Sequence, residues 1–252
     1  MTFSYPGTEQ PIFTHLNLSI KPGQKIAVVG ENGAGKSTLV KLLLRFYDPD
    51  EGIILINNED LRHLDLSAWH ATCAILLQDF SNFALPTVEE NIGFGEVKRY
   101  QQEKAYQEYH QTPETIQRAA RYALAEPFIL DHPQGYQAIV GREFNGREFS
   151  GGEHQRLALA RTFYRHAGLI LLDEPTSAVD AQAEAEIFAA IKDHLADKTV
   201  VFVSHRFSTV RIADRIVVIE KGKIIEDGTH EELLEKGGAY KRMFTLQAKG
   251  YQ

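Results

Sequence analysis

The chain has 252 residues, of which 43% are hydrophobic and 24% charged, as in an ordinary soluble globular protein. Its net charge of −7 argues against nucleic-acid binding as the main role, and the single cysteine, Cys73, excludes a disulfide framework or a multi-cysteine metal site. Its apolar runs fall short of the ~18 residues that span a bilayer, and the N-terminus lacks a secretory signal. These properties predict a chain that is soluble on its own, in a reducing cytoplasm.

Strands and turns dominate the predicted structure of the first part of the chain. Alternating apolar and polar residues predict a half-buried strand over residues 12–20, and an apolar run predicts a buried strand over residues 26–29. Further strands are predicted over residues 52–57 and 74–77, with turns between them. We expect an antiparallel β portion near the N-terminus.

A glycine-rich segment from Gly30 to Thr38 joins the buried strand to a predicted helix over residues 38–45, and it fits G-x-x-x-x-G-K-[ST]. The glycines let backbone N–H groups point at an anion, and the helix N-terminus adds partial positive charge. Lys36 can reach the outer phosphates, and the Ser37 hydroxyl can bind Mg²⁺. The segment therefore predicts a nucleoside triphosphate site. We assign its contacts to Gly30, Asn32, Gly33, Ala34, Gly35, Lys36, Ser37 and Thr38.

Helical signals replace strand signals over residues 80–166. Thr112 followed by Pro113 predicts a helix with threonine as its cap and proline at its first position, extending to about Ala125. Residues 99–111 are polar and predict an exposed helix or a loop.

Two capping boxes are also predicted, in which a threonine is followed three residues later by a glutamate. The first pairs Thr87 with Glu90, and the second pairs Thr229 with Glu232. Glycines at 237 and 238 are expected to end the second helix.

Alternation of strands and helices resumes after residue 166. Strands are predicted over residues 169–172 and 199–203, a helix over residues 181–196, and a hairpin from residues 215–219 and 223–226. This layout predicts a parallel α/β core that contains a helical insertion.

Two acidic residues, Asp173 and Glu174, follow the strand over residues 169–172, at the sheet edge where open α/β sheets bind ligands. Asp173 would hold Mg²⁺ directly or through water, which leaves Glu174 to orient and deprotonate an attacking water. Alone, the pair would indicate only an acidic turn. Together with the phosphate loop it predicts hydrolysis of the triphosphate.

A second anion-binding helix start is predicted at Phe149-Ser150-Gly151-Gly152-Glu153, before a helix over residues 153–165. With these motifs in this order, the chain resembles the nucleotide-binding domain of an ATP-binding cassette (ABC) transporter over essentially its whole length. In that family the Ser-Gly-Gly segment of one domain covers the γ-phosphate bound by the other. The resemblance thus implies a head-to-tail dimer around two ATP molecules with Mg²⁺, in which Ser150 and Gly152 act in trans.

The fold that the resemblance implies is α/β: a P-loop NTPase (RecA-like) core with an N-terminal antiparallel β subdomain and an inserted α-helical subdomain. The whole chain, residues 1–252, would form one ABC ATPase domain. Residues 1–79 and 167–252 would form the core and β subdomain, and residues 80–166 the helical subdomain with the Ser-Gly-Gly motif.

The resemblance also assigns roles to residues that carry little information alone. Tyr5 matches the aromatic that stacks on adenine, and Gln78 the glutamine that contacts Mg²⁺ and water. Residues 177–180 match the loop that communicates across the dimer, and His205 matches the histidine that contacts the γ-phosphate. The implied catalytic residues are Glu174, His205 and Gln78, and the implied metal ligands are Ser37, Gln78 and Asp173.

Residues 57–66, 89–95 and 228–240 resemble the exporter branch, in which a membrane-spanning domain usually precedes the ATPase. Residues 139–144 lie where exporters contact that domain. The resemblance therefore implies a second nucleotide-binding domain and transmembrane domains as partners, at the cytoplasmic face of the membrane. Because no strand precedes Phe3, we expect a fragment of a longer exporter.

The chain departs from the family pattern at two places. Phe149 and Glu153 replace the leucine and glutamine of the usual Leu-Ser-Gly-Gly-Gln. An ionised glutamate cannot donate as glutamine does, but its charge is favourable at a helix N-terminus, so function is expected to survive. The absent first strand predicts a poorly anchored Tyr5 and weakened adenine binding.

Two other functions stay open. A soluble ABC-type ATPase acting on nucleic acid or ribosomes would carry coiled-coil insertions, tandem domains or basic arms, and the sequence shows none. We therefore expect no nucleic-acid partner. A non-hydrolysing regulatory domain is disfavoured by the presence of Lys36, Asp173, Glu174 and His205.

Overall fold

A computed structural model describes residues 1–8, 10–78, 86–106, 111–141, 148–204, 206 and 210–250. The strands are β1 (Lys25–Val29), β2 (Leu55–Ile56), β3 (Glu59–Asp60), β4 (Cys73–Leu76), β5 (Leu169–Asp173), β6 (Thr199–Val203), β7 (Arg215–Glu220) and β8 (Lys223–Gly228). The helices are α1 (Lys36–Leu43), α2 (Leu66–Ala71), α3 (Val88–Gly93), α4 (Val97–Ala105), α5 (Glu114–Tyr122), α6 (Glu126–Leu130), α7 (Gly151–Tyr164), α8 (Ala181–His194), α9 (His230–Lys236) and α10 (Ala239–Gly250). Short 3-10 turns lie at Leu61–His63 and Gly135–Gln137.

The main sheet has six strands in the order β4-β5-β6-β1-β7-β8. β1 pairs in parallel with both β6 and β7, and β7 pairs antiparallel with β8, which confirms the predicted hairpin. All five residues of β1 are buried, as expected of a parallel strand that is covered on both faces. The buried central strands place the loop that follows β1 at the carboxyl edge of the sheet.

The chain folds into two compact units, each assembled from segments that are distant in the sequence. The first unit contains Met1–Cys73, Leu171–Glu174 and Asp197–Gln252, and the second contains Ala74–Ile170 and Pro175–Ala196. Among the described helices, none is both long and apolar enough to cross a membrane.

The prediction of a strand over residues 12–20 is wrong. Phe13 forms only an isolated antiparallel bridge with Phe3, and residues 16–20 lie in no strand. Phe13 and Leu16 are nevertheless buried, and the backbone N–H of Leu16 donates to the Met1 carbonyl at 2.8 Å. The alternating pattern therefore indicated correctly which side chains are buried. It could not show that the backbone of this segment lacks a continuous strand partner. The antiparallel portion near the N-terminus comprises such bridges and the β2–β3 pair.

The predicted cap at Thr112 is also wrong. Pro113 is the N-cap of α5 and makes no side-chain cap bond, and the helix ends at Tyr122 rather than near Ala125. The Thr112 hydroxyl instead donates to Glu89 at 2.7 Å. The Thr112 hydroxyl thus bonds to a buried carboxylate from a distant part of the sequence, and not to the helix N-terminus as the capping rule predicts.

Glu89, in α3, is 1% exposed and accepts from four side chains. The hydroxyl of Tyr100 and the ammonium of Lys104 each lie 2.9 Å from its Oε1. The Thr112 hydroxyl, at 2.7 Å, and the Gln137 amide, at 2.9 Å, donate to its Oε2. This carboxylate joins α3, α4, the start of α5 and a 3-10 turn within the second unit.

Capping boxes were predicted correctly. Thr87 with Glu90 and Thr229 with Glu232 each form both reciprocal bonds, at the starts of α3 and α9. Gly237 ends α9 in the left-handed conformation, with φ 71°. The C-terminal helix α10 was not predicted.

Candidate functional site

Three glycines shape the loop between β1 and α1. Gly30, Gly33 and Gly35 have φ of 155°, 80° and 103°, which favours glycine, and Gly35 is the N-cap of α1. A Cβ at position 30 would lie 2.2 Å from the backbone oxygen of Ile219 in β7, so a side chain does not fit there. The loop adopts the close turn that a phosphate-binding loop needs.

Other residues assigned to this loop differ in exposure. Asn32 is exposed and Ala34 is buried, and the N–H of Ala34 donates to the Glu31 carbonyl at 3.2 Å, which closes a turn. Thr38 is buried in the first turn of α1. The loop thus has an exposed tip over residues 31–33, followed by a largely buried segment.

Lys36 begins α1 and is 7% exposed. Its Nζ donates to the carbonyls of Gly30 and Glu31, both at 2.9 Å. Burial lowers the pKa of Lys36, and the negative charges of Glu174 and Asp173 act in the opposite direction. Two of the three N–H donors of the Lys36 ammonium bond to loop carbonyls, and the third is available to bind an anion.

Asp173 ends β5 and is 3% exposed. The Ser37 hydroxyl hydrogen-bonds to its carboxylate, whereas Oδ1 has no hydrogen-bond partner among the described residues. Burial raises the pKa of Asp173, and the Ser37 bond and the Lys36 charge partly offset this effect. A buried oxygen without a partner costs about 1–3 kcal/mol, and a cation would supply the missing partner.

Ser37 and Asp173 therefore fit a Mg²⁺ ion, which prefers hard oxygen ligands. Within the described ranges, no group of three or more His, Cys, Asp and Glu side chains could hold a metal. The ion would depend on one carboxylate, one hydroxyl and the phosphates of a ligand, which is the usual arrangement of Mg²⁺ at phosphate sites.

Glu174 has an unusual backbone conformation for a side chain of its size. Its φ is 52°, in the left-handed region, and its N–H donates to the Val203 carbonyl of β6 at 2.9 Å. Such a conformation costs about 1–2 kcal/mol and persists where the surroundings impose it, often at functional sites. The carboxylate acts on the pKa of Lys36, so β5 brings it close to the loop.

Tyr5 lies against α1, contrary to the expectation that it is poorly anchored. Its hydroxyl is 3.1 Å from Oγ1 of Thr38, and its ring meets the rings of Phe3 and Tyr47 edge-on, each at 5.2 Å between centroids. The bond to Thr38 and the contacts with the two rings hold the Tyr5 ring in place.

Lys41 was missed by the sequence analysis. Its Nζ lies 5.7 Å from the centroid of the Tyr5 ring, and its charge also acts on the pKa of Asp173. The sequence could have indicated Lys41, because it follows Ser37 by four residues and Thr38 by three. It therefore lies on the same face of the helix as these two residues.

Ser150 and Glu153 form a third capping box at the start of α7, in the second unit. The Ser150 N–H donates to Glu153 Oε2 at 2.8 Å, and the Glu153 N–H donates to the Ser150 hydroxyl at 3.2 Å. This explains how glutamate replaces the usual glutamine, since a capping box accepts either residue.

The start of α7 is tied to the loop over residues 177–180. A Cβ at Gly152 would lie 2.7 Å from the Ala178 backbone oxygen. Gln155 donates to the Ser177 hydroxyl at 3.0 Å and accepts from the Ala178 N–H at 2.8 Å. The structure thus joins two segments that the sequence analysis assigned separately.

Phe149, the other departure, is 4% exposed. Its ring meets those of Phe128 and His154 at 5.7 and 5.8 Å between centroids, both edge-on. The larger side chain is accommodated because it packs into an aromatic cluster.

The structure does not test the roles of the remaining assigned residues. Gln78 follows β4, is exposed and belongs to the second unit, as do Ser150 and Gly152. His205 lies outside the described residues. The roles of these four residues stay predictions.

Comparison with known proteins identifies the family. The profile of the ABC transporter family matches residues 13–177. The ATP-dependent lipid A-core flippase of Salmonella paratyphi A is 40% identical over 247 residues, which cover 98% of this chain and 40% of the flippase. The flippases of that name from Methylobacillus flagellatus and Escherichia coli K12 are 39% identical over the same length, with the same shares covered.

Among solved structures, a bacterial Atm1-family ABC exporter with ATP bound matches with a TM-score of 0.85 at 34% identity. The match covers 98% of this chain and 40% of the exporter chain. It confirms the predicted α/β, P-loop NTPase fold. The chain spans about 40% of the length of the relatives it matches.

Proposed function

This chain belongs to the ABC transporter family, and we propose that it is the ATPase domain of an exporter. It binds ATP with Mg²⁺, hydrolyses it, and pairs head to tail with a second nucleotide-binding domain. The pair drives transmembrane domains from the cytoplasmic face of a membrane. The relatives are named as a lipid A-core flippase and an Atm1-family exporter, so the similarity supports this role and selects no cargo.

One observation carries the proposal: Lys36, Ser37, Asp173 and Glu174 gather at the phosphate loop, and one buried oxygen of Asp173 has no hydrogen-bond partner among the described residues. Such an oxygen lowers the stability of the folded protein unless a ligand supplies the missing interaction. Buried groups with shifted pKa values beside an anion-binding loop are typical of a functional site.

The roles of these residues follow from their chemistry. Lys36 and the loop N–H groups bind the outer phosphates, and Ser37 with Asp173 would hold Mg²⁺, which neutralises charge on the transferred phosphate. Glu174 orients the attacking water and accepts its proton. The strained backbone of Glu174 fixes where that carboxylate points.

The paired state supplies the remaining groups in this proposal. Ser150 and Gly152 of the partner domain would contact the γ-phosphate. Gln78 would contact Mg²⁺ and water, and His205 would steady the γ-phosphate. Hydrolysis removes the phosphate that joins the two domains, and the pair opens.

The sharpest test is Glu174→Gln, which keeps the size and backbone strain of the residue and removes its basicity. We expect ATP binding close to the parental value, phosphate release lower by about 10²–10⁴-fold, and ATP-dependent pairing that persists. Calorimetric titration, a phosphate-release assay and sedimentation velocity measure these three properties. Glu235→Gln, at an exposed site in α9, is the matched control.

Hydrolysis at the parental rate by Glu174→Gln would contradict the assignment of the base. Parental chain that binds Mg·ATP and pairs but releases no phosphate would favour the non-hydrolysing regulatory domain. Binding of DNA or RNA would favour the nucleic-acid alternative.

A further inference from the structure

The helix that carries the phosphate-binding side chains also holds Tyr5 at two points. The Tyr5 hydroxyl lies 3.1 Å from Oγ1 of Thr38, and the Lys41 ammonium lies 5.7 Å from the Tyr5 ring centroid. Lys36 and Ser37 precede these residues on the same helix. One rigid element therefore sets the distance between the Tyr5 ring and the phosphate loop.

Two further rings determine the plane of Tyr5. The Tyr47 ring is 5.2 Å away at an interplanar angle of 88°, and the Phe3 ring is 5.2 Å away at 76°. Phe3 and Tyr47 also contact each other, at 5.6 Å. Phe3 is 1% exposed, whereas Tyr5 and Tyr47 are half-buried, so the cluster has a fixed base and an accessible side. Edge-on packing at these distances favours one orientation of each ring.

We propose that Tyr47 is a positioning residue for Tyr5, with Lys41 in a supporting role, so that the plane of the Tyr5 ring is set before a nucleobase reaches it. This inference rests on the proposed function, in which Tyr5 stacks on adenine. A ring already in position avoids the ordering cost that a mobile ring would add to binding. Tyr47 therefore strengthens binding of the base and leaves binding of the phosphates unchanged.

The test compares two ligands that share the phosphates and differ in the base. Affinities of the chain for Mg·ATP and for magnesium tripolyphosphate are measured by titration calorimetry. Tyr47→Ala should weaken ATP binding about tenfold, in line with the cost of losing one well-placed aromatic contact, and leave tripolyphosphate binding unchanged. Tyr47→Phe keeps the ring and should restore the parental ratio of the two affinities.

The matched control is Phe244→Ala, which removes a half-buried ring from the aromatic cluster with His230 and Tyr240 in the same unit. It should leave the ratio unchanged. Lys41→Met keeps the apolar stem, but its charge also acts on Asp173, so we expect it to weaken both ligands and ATP more. Fluorescence of Trp69, the single tryptophan of the chain, confirms that each variant is folded.

Equal losses for both ligands in Tyr47→Ala would show a merely structural role and overturn the proposal, as would an unchanged affinity for ATP. The variant Tyr5→Ala distinguishes failure of the positioning role of Tyr47 from failure of the proposed stacking of adenine on Tyr5. If Tyr5→Ala also fails to lower the ratio, adenine does not stack on Tyr5 and that part of the proposed function is wrong. If Tyr5→Ala lowers the ratio and Tyr47→Ala does not, only the positioning role fails.

Discussion

Glu89 and Asp173 are both almost completely buried, and their carboxylates have opposite surroundings. Glu89, in the helical second unit, receives four donors that serve both of its oxygens. Asp173, in the first unit, has one oxygen without a partner among the described residues. Burial alone therefore does not separate a structural acid from a functional one. The completeness of the hydrogen bonding separates the two kinds of acid, because an unsatisfied buried oxygen reduces stability unless a ligand binds it.

The largest loss of stability is expected when the Glu89 carboxylate is replaced. Glu89→Gln removes the charge and leaves donors without a good acceptor, so the free energy of unfolding should fall by about 3 kcal/mol. Urea unfolding followed by far-UV circular dichroism measures the change. Glu114→Gln, an exposed partner of Arg121 in the same unit, should change stability by less than about 1 kcal/mol. A comparable small effect at Glu89 would show that the network contributes little.

Asp173→Asn should behave in the opposite way. Without ligands we expect no loss of stability, because the substitution removes a charge that burial disfavours. The stabilisation by Mg·ATP, about 2.7 kcal/mol at a ligand concentration 100 times the Kd, should largely disappear. Thermal unfolding with and without Mg·ATP, and with EDTA added, measures both quantities. Loss of stability without ligand, like that expected for Glu89→Gln, would assign Asp173 to the structural class.

The smallest effect is expected at Glu153, whose carboxylate is locally satisfied although it lies in the Ser-Gly-Gly motif. Glu153→Gln keeps an acceptor for the Ser150 N–H, so stability should change by less than about 0.5 kcal/mol and phosphate release by less than about twofold. Glu232→Gln, in the equivalent box of α9, controls for the loss of charge at a helix start. A large fall in phosphate release confined to Glu153→Gln would show that the carboxylate itself takes part in the paired state.

What the sequence could predict depends on how far apart the interacting residues lie along the chain. The phosphate loop and the capping boxes of α3 and α9 involve residues within a few positions of one another, and local rules find them. Glu89 has no such signature, because its donors come from positions 100, 104, 112 and 137. The same distant contact explains why the local prediction for Thr112 failed.

The phosphate site shows the same limit. Asp173 and Glu174 were assigned because a strand followed by two acids accompanies a phosphate loop. Their proximity to Lys36 depends on the strand order that places β5 and β1 in one sheet. Among the described residues, the lack of a partner for one Asp173 oxygen likewise appears only in the folded chain. The contacts of Tyr5 with Thr38 and Tyr47 likewise needed the folded chain, since they join positions more than thirty residues apart.

The close approach of Gly30 to β7 has a consequence for how such chains diverge. A side chain at Gly30 would collide with a backbone oxygen of the sheet whether or not a nucleotide is ever bound, whereas one at Gly33 would meet no atom within 4 Å. A descendant that lost nucleotide binding would still retain Gly30, whereas at Gly33 only the left-handed backbone, with φ 80°, disfavours a side chain. Gly30 is therefore required by the sheet itself, and Gly33, which packs against nothing, is the better marker of surviving activity.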